Sequence, residues 1–358
     1  MENILEAQSD QIMQEDIDAI ANGDFPAEKL NKSTVLVTGS TGLIGSQVVK
    51  TLAAFNRVKG TDIKIIAYAR SEEKAKKVFG RLLERGDVSV ALGDVNEPIK
   101  VDADVDYIIH GASATSSKYF VSNPVETIAT AMNGTTNILE FAKAKEVKGM
   151  VYLSSLEVYG TPDKTDGFIS EKDYGYIDPL NVRSSYSEGK RMVECLCVSY
   201  AKEYNVPVKV ARLSQTFGAG VEYNDGRVFA EFARCAMEKK DIVLHTQGNT
   251  IRTYCYTKDA VEALLYILVK GNVGEAYNVT NMDTAVSIKE MGQLVCDIFP
   301  ESGIKVTIDI PEDVASFGYN PEMVVRLDST KLMELGWKAT TDLSQMFKRL
   351  VESMRLSR

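Results

Sequence analysis

STVLVTGSTGLIG, residues 33–45, is the stretch from which the rest of the chain can be read. Thr34 to Thr38 is a β-branched, apolar run of the kind that pairs as a buried strand, and it stops at a glycine. From Leu43 the apolar spacing becomes helical and continues to Phe55. Between them lies a GxxGxxG turn built on Gly39, Gly42 and Gly45. Glycine lets the backbone turn tightly and approach a pyrophosphate, whose charge is favoured at a helix N-terminus. The turn therefore reads as a dinucleotide site, with Gly39, Thr41, Gly42, Leu43, Ile44 and Gly45 along the cofactor.

The same rhythm repeats outward from this turn. DIKIIAYAR (62–70), DVSVALGD (87–94), VDYIIHGAS (105–113), GMVYLSS (149–155) and PVKVARLS (207–214) are short apolar runs. Helix-length stretches lie between most of them, at Glu72 to Leu83, Pro124 to Ala144 and Tyr186 to Tyr204. Strands buried on both faces and alternating with amphipathic helices predict an α/β protein with a doubly wound parallel sheet. After Leu213 the pattern loosens: TFGAGVEYNDGR reads as loop, and KVTIDI and EAYNVT are strands set among irregular stretches. This predicts a smaller, discontinuous substrate-binding region from about 213–252 plus 281–358, against a Rossmann-type body from 32–212 plus about 253–280. Residues 1–31 form a polar, partly helical extension. Its apolar anchors Ile4, Leu5, Ile12, Ile17 and Ile20 suit a helix lying on the domain surface or on a partner subunit.

Composition narrows the function. The 358 residues are 44% hydrophobic and 25% charged, which excludes disorder and a fibrous repeat. A net charge of −9 argues against a broad nucleic-acid face, though not against one small positive pocket. Five scattered cysteines, never spaced CxxC, fit a reducing cytoplasm, and two isolated histidines form no metal site. MENILEAQSDQ lacks the basic start of a signal peptide, and the apolar helix from Val261 to Val269 is too short for a membrane and carries Glu262. A cytoplasmic protein is expected.

Strand ends supply the candidate chemistry, because parallel sheets bind ligands outside their carboxyl ends. Where an acid would grip a ribose, this chain has Tyr68, followed by Arg70, and that pair tilts the cofactor from NAD toward NADP. Asp94 and Val95 end the third strand at the adenine edge, and Ala112 follows the fourth. Ser155 ends the fifth. Tyr186 and Lys190, four apart, share a helix face, where the ammonium is expected to lower the phenol's pKa toward working pH. Tyr254/Lys258 and Tyr266/Lys270 match the same YxxxK spacing, but only Tyr186 follows both the glycine turn and the serine strand. Without that pair, Ser155 would read as a loop cap.

In this order the residues resemble the extended short-chain dehydrogenase/reductase family of nucleotide-sugar epimerases, dehydratases and decarboxylases. The resemblance runs from about Ser33 to the Leu335-Gly336-Trp337 region. It looks most like UDP-glucuronate decarboxylases in IIHGAS with Tyr119 and Asn123-Pro124, LEVYG, Arg183 ahead of Tyr186 and EGKR, RLSQTFG, NDGRV, and Arg252 before Tyr254. The resemblance implies Ser155, Tyr186 and Lys190 as a catalytic trio and Glu157 at a position where decarboxylases and dehydratases hold a glutamate. It also implies Arg252 on the nucleotide diphosphate, Gln215 at a substrate position usually held by asparagine, and Arg183 and Arg227 toward substrate. A tightly bound NAD or NADP and a homodimer packed through 124–144 and 186–204 come from the same source.

The chain departs from the pattern at Leu156, where dehydratases carry an aspartate, and at Ala131, where asparagine is common. Leu156 weakens the dehydratase reading. The expected chemistry starts with Tyr186 taking a sugar hydroxyl proton and passes through a 4-keto sugar. Decarboxylation, 4-epimerisation and net reduction of a keto sugar all branch from there. A cofactor-sensing protein with a dead site is the non-enzyme alternative, and the intact trio argues against it.

Overall fold

The computed structural model describes residues 4–163, 166–311 and 322–357, which leaves the first three residues of the N-terminal extension and part of the 281–358 region outside it. In chain order the first half comprises α1 (Gln11–Asn22), β1 (Thr34–Thr38), α2 (Leu43–Lys59), β2 (Lys64–Ala69), α3 (Glu72–Phe79), β3 (Val88–Leu92) and β4 (Tyr107–His110). There follow α4 (Ser117–Ser122), α5 (Pro124–Ala144), β5 (Gly149–Ser155), α6 (Ser184–Tyr204) and β6 (Val208–Leu213). The second half holds β7 (Gln215–Phe217), α7 (Val228–Glu238), β8 (Ile242–Leu244), β9 (Ile251–Tyr256), α8 (Thr257–Lys270) and β10 (Ala276–Val279). Last come β11 (Asn281–Ser287), α9 (Ile288–Ile298), β12 (Val306–Ile308), β13 (Val324–Val325), α10 (Thr330–Met333) and α11 (Leu343–Leu356).

Seven parallel strands form the main sheet in the order β10-β6-β5-β4-β1-β2-β3. The order reverses between β1 and β4, and at such a switch the flanking loops part and leave a crevice at the carboxyl ends. Val35, Leu36 and Val37 are wholly buried because helices cover both faces. One face packs on α2 and α8, with Val48, Leu52, Leu264 and Ile267 in its core. The other packs on α5 and α6 through Ile138, Leu139, Val193 and Cys197.

β7, β9, β11 and β13 make a second, smaller sheet, and β8 pairs with β12. Around them α7, α9 and α11 enclose a separate core that includes Phe217, Phe229, Met291 and Phe347. The chain enters this region after β6, returns to the main body at α8 and β10, and leaves again at β11. The helix expected from Glu72 to Leu83 is α only to Phe79, where Gly80 at φ +48° turns it into a 3-10 segment, Gly80–Glu84. Among the described residues no helix is long and apolar enough to cross a membrane.

The N-terminal segment is more deeply integrated than a surface helix. α1 lies against α2, α8 and α11, and Ile17, Ile20 and Phe25 are buried in the main core. Leu5 stays exposed, whereas the side chain of Glu6 is buried and ion-paired to Arg57 and Arg85, both at 2.7 Å. Asp16 joins Arg349 of α11 at 2.8 Å and accepts from the Tyr256 hydroxyl at 2.6 Å. For one acid beneath this segment burial dominates: desolvation, then the charge of Asp259, raise the Glu262 carboxyl to about 7 against a smaller lowering by Lys258. A carboxyl whose folded pKa lies above its unfolded value of 4.5 stabilises the fold below that value, and the contribution is lost as pH rises through 7. Glu262→Gln should therefore raise the melting temperature above pH 7, by on the order of 2 kcal/mol of stability, and the advantage should vanish toward pH 4.5. A pH-independent difference in calorimetry would assign the effect to something other than this charge.

Candidate active site

Gly39 follows β1 at φ +65°, and a β-carbon there would stand 2.6 Å from the Gly111 carbonyl carbon beyond β4. A β-carbon on Gly45 would lie 2.3 Å from the Gly39 carbonyl oxygen. Both glycines are thus demanded by the protein's own packing. Gly42 is different: it is the exposed N-cap of α2, and only Gly39 O, at 3.3 Å, lies near the place its β-carbon would take. Bare backbone in open space at a helix N-terminus fits the close approach of a pyrophosphate. Ser40 ties the turn to β2 by donating to Tyr68 O at 2.9 Å.

The neighbouring strand ends are organised by His110, which no local sequence pattern marks for this role. His110 Nδ1 lies 2.6 Å from Thr38 Oγ1 and its Nε2 lies 3.2 Å from Thr135 Oγ1, while Ala112 N donates to Thr38 Oγ1 at 3.3 Å. Complete burial pushes the imidazole down to about 3, so it is a neutral hydrogen-bonding strut. Arg70 projects into solvent past β2, and Tyr68 is buried, its hydroxyl running under Gly93. Asp94 accepts from the backbone and side chain of Asn96 at 2.9 and 3.0 Å, and Val95 packs beneath Gly134.

The fold brings Ser155, Glu157, Arg183, Tyr186 and Lys190 together where β5 ends beside α6. Ser155 Oγ accepts from Glu157 N at 3.2 Å and caps the short 3-10 turn Leu156–Tyr159. Arg183 grips the Glu157 carboxylate with two bonds of 2.9 and 2.8 Å, and Ser187 Oγ adds a third at 2.9 Å. The Tyr186 ring stacks on Phe120, centroids 4.2 Å apart. Phe120 also lies 5.0 Å from the Arg183 guanidinium, so one buried aromatic supports both residues.

The expected electrostatic partnership needs correction. Burial, then the negative charge of Glu157, push the Tyr186 phenol above its ordinary range, against a smaller lowering by Ser155 as hydrogen-bonding neighbour and by Arg183 and Arg227. Lys190 does not offset this. Its ammonium donates to Leu153 O at 2.7 Å and sits 4.7 Å from the centre of the Tyr152 ring, and burial lowers it to about 8. Helical spacing places the two side chains on one face but does not set how deep each reaches.

The remaining substrate candidates are spread over the second region. Gln215 opens β7, two residues past Leu213, whose register partner is Ser155. Arg227 is the N-cap of α7 and is paired with Asp225 at 2.6 Å. Arg252 lies in β9 near Met323 Sδ at 3.5 Å. The Nε atoms of Arg183 and Arg252 are buried without a hydrogen-bond partner among the described residues.

Comparison with known proteins identifies the relatives of this chain. The family model described as the NAD dependent epimerase/dehydratase family matches residues 35–280. UDP-glucuronic acid decarboxylase 6 of Arabidopsis thaliana is 30% identical over 331 residues, which cover 90% of this chain and 89% of that protein. UDP-glucose 4-epimerase of Thermotoga maritima, solved with UDP-glucose, superposes with a TM-score of 0.75 at 21% identity, covering 90% and 99% of the two chains. UDP-glucuronic acid 4-epimerase of Bacillus cereus, solved with UDP-glucuronic acid and NAD, gives 0.74 at 19% identity over 91% and 100%.

Tyr186→Phe keeps the ring on Phe120 and removes the oxygen. Loss of one acid–base group costs about 100- to 10,000-fold in turnover, so the variant should fold, keep its cofactor content and be nearly inactive. Tyr266→Phe, in the core beside Phe25, should be silent. Retention of more than roughly a tenth of the activity by Tyr186→Phe would exclude Tyr186 as the proton carrier.

Proposed function

The chain belongs to the NAD dependent epimerase/dehydratase family, and from that premise we propose that it is a UDP-glucuronate decarboxylase working through a 4-keto sugar. As a member of the family it is an NAD-dependent enzyme of nucleotide sugars. The observation that carries the finer reading is the Glu157–Arg183 pair beside Tyr186. Removing a hydride from one carbon and a proton from its hydroxyl, and returning both, needs only Tyr186, Ser155 and the cofactor. An extra carboxylate held by an arginine becomes useful when the neighbouring carbon also changes. The 30% identity to a protein named UDP-glucuronic acid decarboxylase points the same way.

In this reading the Gly39–Gly45 turn would hold the pyrophosphate, and Tyr186 and Lys190 would hold the nicotinamide ribose. NAD held there would supply the hydride acceptor for carbon 4 and, at the end, the hydride donor. As the phenolate, a form that the positive charge of a bound cofactor would favour against the pull of burial and Glu157, Tyr186 would take the proton of the sugar 4-hydroxyl while Ser155 Oγ fixes that oxygen. With a ketone at carbon 4, the carboxylate on carbon 5 is a β-keto acid. Its carbon–carbon bond breaks, carbon dioxide leaves, and the electron pair passes into an enolate spanning carbons 4 and 5. A solvent proton then reaches carbon 5, with Glu157 and Arg183 as the charged neighbours that steer it. Tyr186 finally gives its proton back to the carbonyl oxygen as the pentose forms. The Nε donors of Arg183 and Arg252, buried and without a partner among the described residues, suit the anionic groups of such a substrate.

Two measurements test this reading. UDP-glucuronate incubated with the protein should lose carbon dioxide by mass spectrometry. Glu157→Gln should stop the release, by at least about 100-fold, while cofactor still becomes reduced. Interconversion of two sugars of equal mass, equally well in the variant, would replace the decarboxylase with a 4-epimerase. For the cofactor, no carboxylate stands at Tyr68, and Asp94 is engaged with its own loop, while Arg70 is exposed. We propose that this end also accepts the extra phosphate of NADP. Arg70→Ala should then weaken NADP by about tenfold and NAD by much less. Equal losses for both in a titration would remove the NADP reading.

A further inference from the structure

Continuing Tyr186 and Lys190 by one more turn of α6 reaches Glu194, at the same four-residue step and on the same face. Glu194 is 7% exposed and does not face solvent. Ser154 Oγ of β5 donates to its Oε1 at 2.5 Å, and Arg212 of β6 donates from Nε at 3.0 Å and from Nη2 at 2.6 Å. Arg212, 2% exposed, spends its other donors on Tyr159 OH (2.9 Å), Glu171 O (2.8 Å) and Tyr174 OH (2.5 Å). Tyr159 in turn donates to Asn278 Oδ1 of β10 at 2.6 Å. No donor of this guanidinium is left over.

The placement of the cluster links it to the site. Ser154 immediately precedes Ser155 and is the register partner of Arg212. Tyr159 ends the 3-10 turn that carries Glu157. One ion pair therefore joins α6, β5, β6 and the Glu157 turn behind the reacting face. A buried pair of this kind contributes little net stability compared with apolar residues of the same volume, because both charges must be stripped of water. What it does supply is direction: a forked guanidinium on a carboxylate admits one geometry.

We propose that Glu194 and Arg212 are positioning residues for the tyrosine–lysine pair, locking α6 at one height against the ends of β5 and β6. That height sets where the Tyr186 phenol meets Ser155 and where Lys190 meets the Leu153 carbonyl. The proposal rests on Tyr186 and Lys190 being the proton-handling pair of the proposed function. Groups facing Lys190 are Tyr186, Glu194 and Cys197 of α6, Tyr152 of β5 and His110 of β4. Those facing Glu194 are Arg212, Ser154, Tyr152, Tyr159, Cys197 and Lys190.

The test uses the full chain with bound NAD. Glu194→Gln or Arg212→Met alone leaves one buried charge unpaired, so the informative variants are the Glu194→Gln/Arg212→Met double, which removes both charges, and Ser154→Ala, which frees Glu194 from β5 alone. Two readouts are taken. One is the pH titration of the Tyr186 ring carbon by NMR with labelled tyrosine, assigned by its loss in Tyr186→Phe. The other is turnover with UDP-glucuronate. A misplacement near 1 Å costs on the order of 100-fold, so the double variant should lose at least about tenfold in kcat, with KM little changed. Its Tyr186 titration should move, and Ser154→Ala should show the same changes at smaller size. If Ser154→Ala keeps the wild-type titration and kcat, the proposal fails, whether or not the double variant folds. The NMR readout does not depend on the sugar, so wild-type inactivity on UDP-glucuronate would count against the proposed function and leave this test standing.

Discussion

The close approach of α2 to the end of β1 is the constraint on which the rest of the molecule turns. Gly45 lies so near the Gly39 carbonyl that a single added carbon would stand 2.3 Å from it, inside any tolerable contact. Only at that distance does the helix N-terminus open directly onto the crevice where strand order reverses. Gly39 is pressed just as hard against the Gly111 backbone beyond β4, so the two strands flanking the crevice are held together at their tips. The Thr38–His110 bond continues the same clamp one residue deeper. A neutral histidine serves there because burial excludes a charge.

Around the crevice, charge is kept inside the protein in three connected arrangements. Glu157 is neutralised by Arg183, Glu194 by Arg212, and Lys190 is settled on a carbonyl and an aromatic face. Each removes hydrated groups from water, which costs free energy that apolar packing would not. Such desolvated charge at the ends of β5 and β6 fits a region built for orientation. It also accounts for the tyrosine: a phenol between a desolvated wall and a carboxylate stays protonated, and any group drawing its proton must first change that field.

Away from the crevice, the N-terminal helix precedes the span matched by the family model, residues 35–280. It is nonetheless wedged among α2, α8 and α11 and so touches both the main body and the second region. Asp16 holds Arg349 and Tyr256, and Asp10 accepts from Ser353, whose oxygen in turn receives the Gly220 amide at 2.9 Å. The loop after β7, which continues from Gln215, is thereby buttressed from the far end of the chain.

What the sequence determined by itself was local. A β-branched run ending in glycine, the three-residue glycine spacing, and a tyrosine and lysine four apart declare strand, turn and helix face, since each depends on neighbours within a few residues. The succession of strands and helices followed from the same periodicities, and the doubly wound sheet from their alternation. Tertiary structure alone decided the partners. Glu157 and Arg183 are 26 residues apart in the chain, Glu194 and Arg212 are 18 apart, and Thr38 and His110 are 72 apart. No periodicity encodes such meetings. The same holds for Lys190, which lies on the face expected for it yet turns to Leu153 O. It holds for Leu5 and Glu6 as well, where the apolar residue faces water and the acid is buried because Arg57 and Arg85 converge on it. Hydrophobic pattern predicts which surface is covered, but the fate of a charge depends on desolvation and on which opposite charge the fold brings within hydrogen-bonding distance.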